Sequence, residues 1–491
     1  MGYSKYRLNK IFRKVTLLTF LLACIISSLS LINNTLFETF LNLSPFHSDV
    51  SKFTNIFESI LSPRCSNFTE YNLDSQPYWQ FYGFQHHMKL NQETLSNILK
   101  IDSKQEDEMM RLHNELLNNY LTTSFKPFAD LQNKFNENDK NNNKGIIYVS
   151  GKKYYWLTMI SIKYIRDILK DKTPIEVFVP IKSNDDQHCN KMTMVFSNVK
   201  CTYFSDYLSH SQIKKLSGYQ YKSLALLLTN FNDVLYLDSD NIPISNINDM
   251  FENPNYLKSG FVSWADFWKR STNYKFYKMS GIEGVASPIS STPSAESGQI
   301  LINKKSHLKT LLLAYYYNYY GPGYFYPLFS QGFPGEGDKE TFYLAGRVTG
   351  EGAFMITGQK TKSFGYINNK NSYVGQGILQ FDPNNPSRYW FLHLNYPKLN
   401  VAEMLKNGYF SADKGQRYWT TIRYAQDDSK RELFRQSVGR DLEYEVWKLM
   451  FELLSKDFKG FLIFNEIGND EMADYVKEHL VKLENSKIGK I

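Results

Sequence analysis

Short apolar runs alternate with longer amphipathic stretches between residues 145 and 237, and this alternation sets the expected fold. Residues 145–151 (GIIYVSG) form an apolar run closed by glycine, the pattern of a buried strand. Helical spacing over 155–169 follows, then a second apolar run at 175–180. Residues 201–204 give a third strand, 219–229 a second helix, and 233–237 (DVLYL) a further strand. Strands separated by helices predict an α/β sheet, largely parallel and covered on both faces. Upstream, Leu95, Ile98 and Leu99, then Met109, Leu112, Leu116 and Leu117, give one or two amphipathic helices within 92–135. The polar tract 136–144 (NENDKNNNK) reads as a loop, and 401–491 is charged and mostly helical in pattern, notably 442–458.

The longest apolar run stands apart from this pattern. Residues 15–32 carry no charge and no proline, and as a helix they span roughly 27 Å, about the thickness of an early secretory membrane. Lys5, Arg7, Lys10, Arg13 and Lys14 precede the run, so the positive-inside rule places the N-terminus in the cytosol and the remainder in a lumen. A cleaved signal peptide ending near Ser27, Ser28 or Ser30 is the competing reading, and the length of the run favours an uncleaved signal-anchor. The expected organisation is a tail (1–14), a transmembrane anchor (15–32), a luminal stem with a helical linker (33–143), a catalytic domain (144–400) and a helical extension packed on it (401–491).

Glycosylation patterns and cysteine usage agree with a lumen. The 491 residues are 42% hydrophobic and 22% charged, which excludes wholesale disorder and collagen-like repetition. The net charge of +8 includes the five basic residues of the tail, so the body is nearly balanced and a nucleic-acid partner is not expected. Cys24 lies in the apolar run. Cys189 and Cys201, twelve apart, are expected to form a disulfide worth ~3 kcal/mol, the alternative being two free thiols. Cys65 is then odd and a candidate link between two chains. Asn42-Leu43-Ser44 and Asn67-Phe68-Thr69 are glycosylation acceptor patterns, whereas the similar pattern at Asn33 sits too near the bilayer.

The chemistry concentrates after the strand at 233–237. Asp238-Ser239-Asp240 places two carboxylates at the carboxyl edge of the sheet, where open α/β folds bind ligands. Such a pair can share a hard divalent cation whose other positions take phosphate oxygens. Glu296-Ser-Gly-Gln299 is followed by apolar Ile300-Leu-Ile302, so its polar groups are expected at a strand's entrance. Residues 335–341 (GEGDKET) pack three acids and a lysine into a glycine-broken turn. His393 stands alone in an aromatic frame (WFLH), which on composition reads as a satisfied core residue.

Taken in order, these blocks resemble the fungal Golgi mannosyltransferases that add α-1,2-mannose to the α-1,6-linked backbone of mannan. The resemblance runs from Lys222-Ser-Leu-Ala-Leu-Leu-Leu and Leu237-Asp-Ser-Asp-Asn-Ile-Pro243 through Trp264-Ala-Asp-Phe-Trp268, Glu296–Gln299, YYYNYYG at 315–321 and GEGDKET at 335–341. It implies a type II Golgi membrane protein with an A-type glycosyltransferase fold, a single Rossmann-like mixed sheet flanked by helices. It also implies GDP-mannose as donor, a divalent cation, Mn²⁺, and a mannan or N-glycan acceptor. By this resemblance Asp240 and His393 are metal ligands, and Asp238 binds the metal or the donor ribose. Lys398 would neutralise the diphosphate, Lys222 would line the donor pocket, and Gln299 would face the sugars. Asp338 and Glu296 are the candidates for the carboxylate at the anomeric carbon, with Glu336 and Glu340 behind them. Trp264, Trp268 and Tyr316–Tyr320 either stack on sugars or pack a core. An α-1,3-transferase of the same family and a non-catalytic subunit of a mannan-synthesising complex are the alternatives, and homo-oligomers or mannosyltransferase complexes are candidate assemblies.

Overall fold

The apolar runs become the centre of a mixed sheet. In the computed structural model they form β1 (Lys144–Val149), β2 (Ile175–Val179), β3 (Val199–Tyr203) and β4 (Asp233–Leu237), paired in parallel in the order β3-β2-β1-β4. Ile146, Ile147, Tyr148, Val177, Leu235 and Leu237 have no exposed surface, as expected of strands covered on both faces. The structure describes residues 47–60, 64–72, 90–138, 143–182, 187–283, 293–355, 361–410, 417–425, 427–459 and 468–486. The predicted tail and anchor and the acceptor Asn42 lie outside these residues. Among the described residues no helix is long and apolar enough to cross a membrane.

Beyond β4 come β5 (Asn241–Pro243), β6 (Phe261–Lys269), β7 (Pro293–Asn303) and β8 (Phe354–Met355). β7 runs antiparallel to both β4 and β6, completing a seven-stranded sheet in the order β3-β2-β1-β4-β7-β6-β8. Glu296–Gln299 therefore lies inside an eleven-residue strand and not at its entrance. The expected single sheet also needs correction. β9 (Lys362–Ile367), β10 (Tyr373–Asp382), β11 (Asn385–His393), β12 (Thr421–Tyr424) and β13 (Asp427–Leu433) join β5 in a second, six-stranded sheet of order β13-β12-β9-β10-β11-β5. The region read as mostly helical after residue 401 thus also supplies two strands.

Two cores hold these layers together, and helices from outside the strand region enter both. Helix α1 (His47–Ile60), in the segment read as a stem, sinks Phe53 and Phe57 into the first core. Helix α2 (Ser103–Glu115) contributes Met109 and Leu112. After β1 comes α3 (Tyr154–Lys163), after β2 α4 (Gln187–Val195), and before β4 α5 (Gln220–Leu228). Helix α6 (Leu308–Tyr319) is buried almost all round, and α7 (Thr341–Thr349) packs beside it. The tyrosine-rich run on α6 is core and not a sugar platform. Tyr316 and Tyr317 have no exposed surface, Tyr315 and Tyr316 pack on Phe57 at 5.4 and 5.2 Å, and the Tyr315 hydroxyl meets Thr54 at 2.8 Å. Trp264 is likewise core, its indole N–H donating to the Phe381 carbonyl at 2.9 Å. The last helices, α8 (Leu442–Glu452) and α9 (Asn469–Asn485), place Trp447 and Val476 in the second core with Ile146, Tyr148 and Phe391.

Cys189 on α4 and Cys201 on β3 are paired, their Cα atoms 6.2 Å apart. Cys65 is buried at 7% exposure, and burial pushes its thiol up to about 11, so it is unsuited to the inter-chain link expected of it. Asn67, the second acceptor pattern, is exposed.

Candidate functional site

Backbone register brings the candidate residues together. Leu237, the last residue of β4, lies opposite Tyr148 of β1 and Gln299 of β7, and the Asp238 amide donates to the Gly298 carbonyl at 2.8 Å. The second sheet arrives from the other side, where β5 and β11 set His393 opposite Asn241 and the Leu394 amide donates to the Asp240 carbonyl at 2.9 Å. One sheet therefore presents the two acids and the other the imidazole. Asp238, Asp240 and His393 each offer one ligand atom within 4.8 Å of the others. Two carboxylates and an imidazole suit Mn²⁺ or a similar divalent ion, so the residues present fit the cation that the Asp-Ser-Asp pattern calls for.

Each ring nitrogen of His393 faces a carboxylate. Nε2 lies 3.3 Å from Asp240 Oδ1, and Nδ1 contacts Glu296 Oε1. The other Glu296 oxygen accepts from Gln299 at 2.9 Å and from Gln380, and Asn241 fixes Gln299 at 2.7 Å. A carboxylate on the far nitrogen is how metal-binding histidines are oriented. Gly298 makes the approach possible, since a Cβ there would stand 2.4 Å from the His393 ring and 2.5 Å from Glu296 Oε1.

Lys222 of α5 reaches the same acids. Its ammonium lies 3.2 Å from Asp238 Oδ1 and 2.8 Å from Asp338 Oδ2, and it donates to the Ser297 carbonyl and hydroxyl at 2.7 and 3.0 Å. Ser297 in turn donates to Asp338 at 3.0 Å, and the Tyr236 hydroxyl to Asp238 at 2.8 Å. Lys398, on the loop after β11, contacts the second Asp240 oxygen. The site is a charged row running Lys398–Asp240, then Asp238–Lys222–Asp338, with His393 and Glu296 behind it.

Burial makes these pairings strong. It opposes every charge in the row, yet the Glu296 and Asp240 carboxylates raise His393 to about 10. His393 and then Lys398 hold Asp240 well below the usual carboxylate range despite its burial. Asp238 and Asp338 likewise keep the buried Lys222 ammonium charged, its pKa above the ordinary lysine value. Asp338 differs: burial, reinforced by Asp238, raises its pKa even against Lys222.

Six expected residues therefore meet here with Glu296 and Gln299: Lys222, Asp238, Asp240, Asp338, His393 and Lys398. Glu340 is structural, accepting from the Ala295 amide at 3.0 Å and pairing with Arg270 at 3.3 Å, while Glu336 accepts from the Gly332 amide at 3.2 Å. Trp268 is half-buried on β6. Sequence reasoning missed Ser297, Tyr236 and Gln380, which wire the acids together. It also missed Asp266, which burial raises to about 6 beside Lys339 at 3.4 Å. Its one visible signal was an acid inside the otherwise apolar block Trp264-Ala-Asp-Phe-Trp268.

Comparison with known proteins places the chain. A family model described as "Mannosyltransferase putative" matches residues 143–292 and 288–382. The chain is 32% identical over 442 residues to the α-1,2-mannosyltransferase MNN24 of Candida albicans, covering 74% of this chain and 59% of that protein. Against α-1,2-mannosyltransferase MNN2 of Saccharomyces cerevisiae the identity is 26%, covering 89% and 85%. The chain spans about three fifths of MNN24 and of the related MNN21, at 59% and 62%. Among solved structures, the galactosyltransferase LgtC with donor and acceptor sugar analogues aligns at 15% identity and a TM-score of 0.23, over 33% of this chain and 58% of that one. Mouse xyloside xylosyltransferase 1 aligns at 14% and 0.28, over 43% and 84%. With 30% identity to α-1,2-mannosyltransferase MNN2 of Candida albicans over 81% of this chain and 74% of that protein, the chain belongs to the fungal α-1,2-mannosyltransferase family.

Proposed function

We propose that the protein is a retaining α-1,2-mannosyltransferase with an A-type fold, transferring mannose from GDP-mannose to the α-1,6-linked backbone of mannan. On this reading residues 15–32 anchor it in the Golgi membrane with the catalytic body in the lumen, consistent with the basic tail and the Cys189–Cys201 pair. The observation that carries the activity is the convergence of Asp238, Asp240 and His393 between two cationic side chains, Lys222 and Lys398.

The difficult event in sugar transfer is departure of a diphosphate, which gathers negative charge as the glycosidic bond breaks. Asp238, Asp240 and His393 would hold a divalent cation, which as a Lewis acid neutralises part of that charge. Lys398, at the Asp240 end of the row, is placed to neutralise phosphate oxygens, a preorganised electrostatic contribution of the kind that dominates such sites. Lys222 holds Asp238 and Asp338 at fixed separation, so the carboxylate that faces the sugar keeps its position relative to the phosphate side. Glu296 orients His393 instead of approaching the anomeric carbon, since His393, Gln299 and Gln380 occupy its oxygens. Asp338 is held as well, by Lys222 and Ser297, but each of its oxygens has one partner where one Glu296 oxygen has two, and it is the carboxylate assigned to the reacting face. The bond from C1 to the diphosphate oxygen breaks as the acceptor hydroxyl attacks C1 from that same side, its proton passing to the departing phosphate oxygen, which preserves the α configuration.

The test uses the full chain in detergent with GDP-mannose, Mn²⁺ and a short α-1,6-mannoside, followed by linkage analysis of the product. An α-1,2 linkage is expected. Asp240→Asn is expected to lower the rate by at least about 100-fold while the protein, though less stable, still unfolds in one cooperative transition. Undiminished transfer by that variant, or by chelator-treated protein, would overturn the assignment.

A further inference from the structure

Tyr154 and Tyr396, 42% and 66% exposed, stand by Lys398, whereas the aromatic side chains toward the Lys222–Asp338 end are mostly buried. Tyr236 is 2% exposed, Trp264 0% and Tyr326 7%, so none offers a face to a ligand. Tyr219 differs. It sits just before α5, one helical turn from Lys222, and is 54% exposed. Its neighbours hold the ring without covering it. The ring meets Tyr326 edge-on at 6.4 Å, and one edge rests on Gly337, where a Cβ would lie 3.0 Å from Tyr219 Cε2. Gly337 has φ of +148°, which favours glycine, and the bare backbone there gives the ring its seat. Partial burial raises the pKa of the Tyr219 hydroxyl, and Asp338 and then Asp238 raise it further while Lys222 and Lys398 oppose them. Seated on Gly337 and one turn before Lys222, the half-exposed ring stands beside the Lys222–Asp338 pair.

A fixed aromatic face beside a carboxylate has a definite chemical complement. A pyranose carries an apolar C–H face that stacks on a ring and hydroxyls at its edge that a carboxylate accepts from, and tyrosine offers such a face at low entropic cost. The position also selects which sugar. The cation ligands Asp240 and His393 and the diphosphate-neutralising Lys398 define one end of the charged row, and Tyr219 rests on the residue next to Asp338 at the other end.

We propose that Tyr219 is the stacking platform for the acceptor mannose. The assignment rests on the proposed transferase activity and adds a substrate-binding residue to it. Tyr219 takes no part in bond breaking, and its removal weakens capture of the acceptor while leaving the donor side intact.

The experiment compares the full-length wild type with Tyr219→Phe, Tyr219→Leu and Tyr219→Ala. KM is measured separately for an α-mannoside acceptor and for GDP-mannose, together with slow acceptor-independent hydrolysis of GDP-mannose. The alanine and leucine variants are expected to raise the acceptor KM about tenfold or more, with donor KM and hydrolysis within about twofold of wild type. Phenylalanine, which keeps the ring, is expected to stay within about twofold. An equal rise in donor KM would put the ring on the nucleotide instead, and an unchanged acceptor KM in the leucine variant would overturn the proposal. Saturation-transfer NMR with α-mannobiose gives a readout that needs no turnover. If the wild type transfers nothing, the proposed activity fails, while ring-dependent mannobiose binding still decides the Tyr219 assignment. Equal binding by wild type and leucine variant would sink it.

Discussion

His393 has a carboxylate at each ring nitrogen, and the two have different tasks. Asp240 shares the candidate cation position, while Glu296 fixes the ring from behind and is itself held by Gln299 and Gln380. Glu296→Gln is therefore expected to weaken Mn²⁺ binding by roughly 10–100-fold, measured by calorimetric titration of the full chain without donor. An unaltered affinity would mean that Glu296 does not orient the histidine. At this scale the Asp-Ser-Asp pair was legible because both acids follow directly on an apolar strand, a local pattern. His393 was not legible from its surroundings, whose aromatic character speaks for a core residue, and only the family resemblance pointed to it. Glu296 was singled out, but its direction depends on the β7 register against β4 and on β11 arriving from the second sheet. Asp266 has no local spacing to mark it.

The helices before β1 belong to the body through the tyrosine-rich helix. Phe57 of α1 packs on Tyr315 and Tyr316, and His113 of α2 meets the Tyr317 hydroxyl at 2.7 Å. Burial holds His113 at a pKa of about 4, below its ordinary 6.5. The unfolded chain therefore binds a proton over that interval that the native chain does not. Stability contributed by the neutral histidine is complete above about pH 6.5 and is lost as pH falls toward 4, by roughly 3 kcal/mol. His113→Gln is expected to flatten the stability–pH curve in that window, as read by urea unfolding at several pH values. An identical slope in the variant would show that another group titrates there. The strands β1, β2 and β4 were legible because strands buried on both faces are continuous apolar runs. The α1 helix was not, because its register shows only once the tyrosines it packs on are in place. Nor was the second sheet, whose β9 and β10 carry Gly365, Gly375 and Gly377 and depend on pairing more than on local preference.

Across the whole molecule, the two cores ignore the boundaries expected at residues 143 and 400. The first joins Phe53 and Leu112 to Leu224 and Ile300, and the second joins Tyr148 and Phe391 to Trp447 and Val476. A chain ending at residue 400 would lose β12 and β13 from the second sheet and expose the second core. It is expected to express insolubly, or to show no cooperative thermal transition where the full chain shows one. A soluble, cooperatively unfolding chain ending at residue 400 would contradict this.

By itself the sequence determined what depends on neighbouring residues: the apolar run at 15–32 with its basic flank, the strands at the centre of the first sheet and the two acids after β4. Tertiary structure alone decided that the Glu296 carboxylate turns to His393, that the tyrosine run is core, that the last ninety residues complete a sheet, and that Tyr219 keeps an open face. The physical reason is contact distance along the chain. Burial and periodicity are written within a few residues, whereas Asp240 and His393 lie 153 positions apart and meet through the register of β5 and β11.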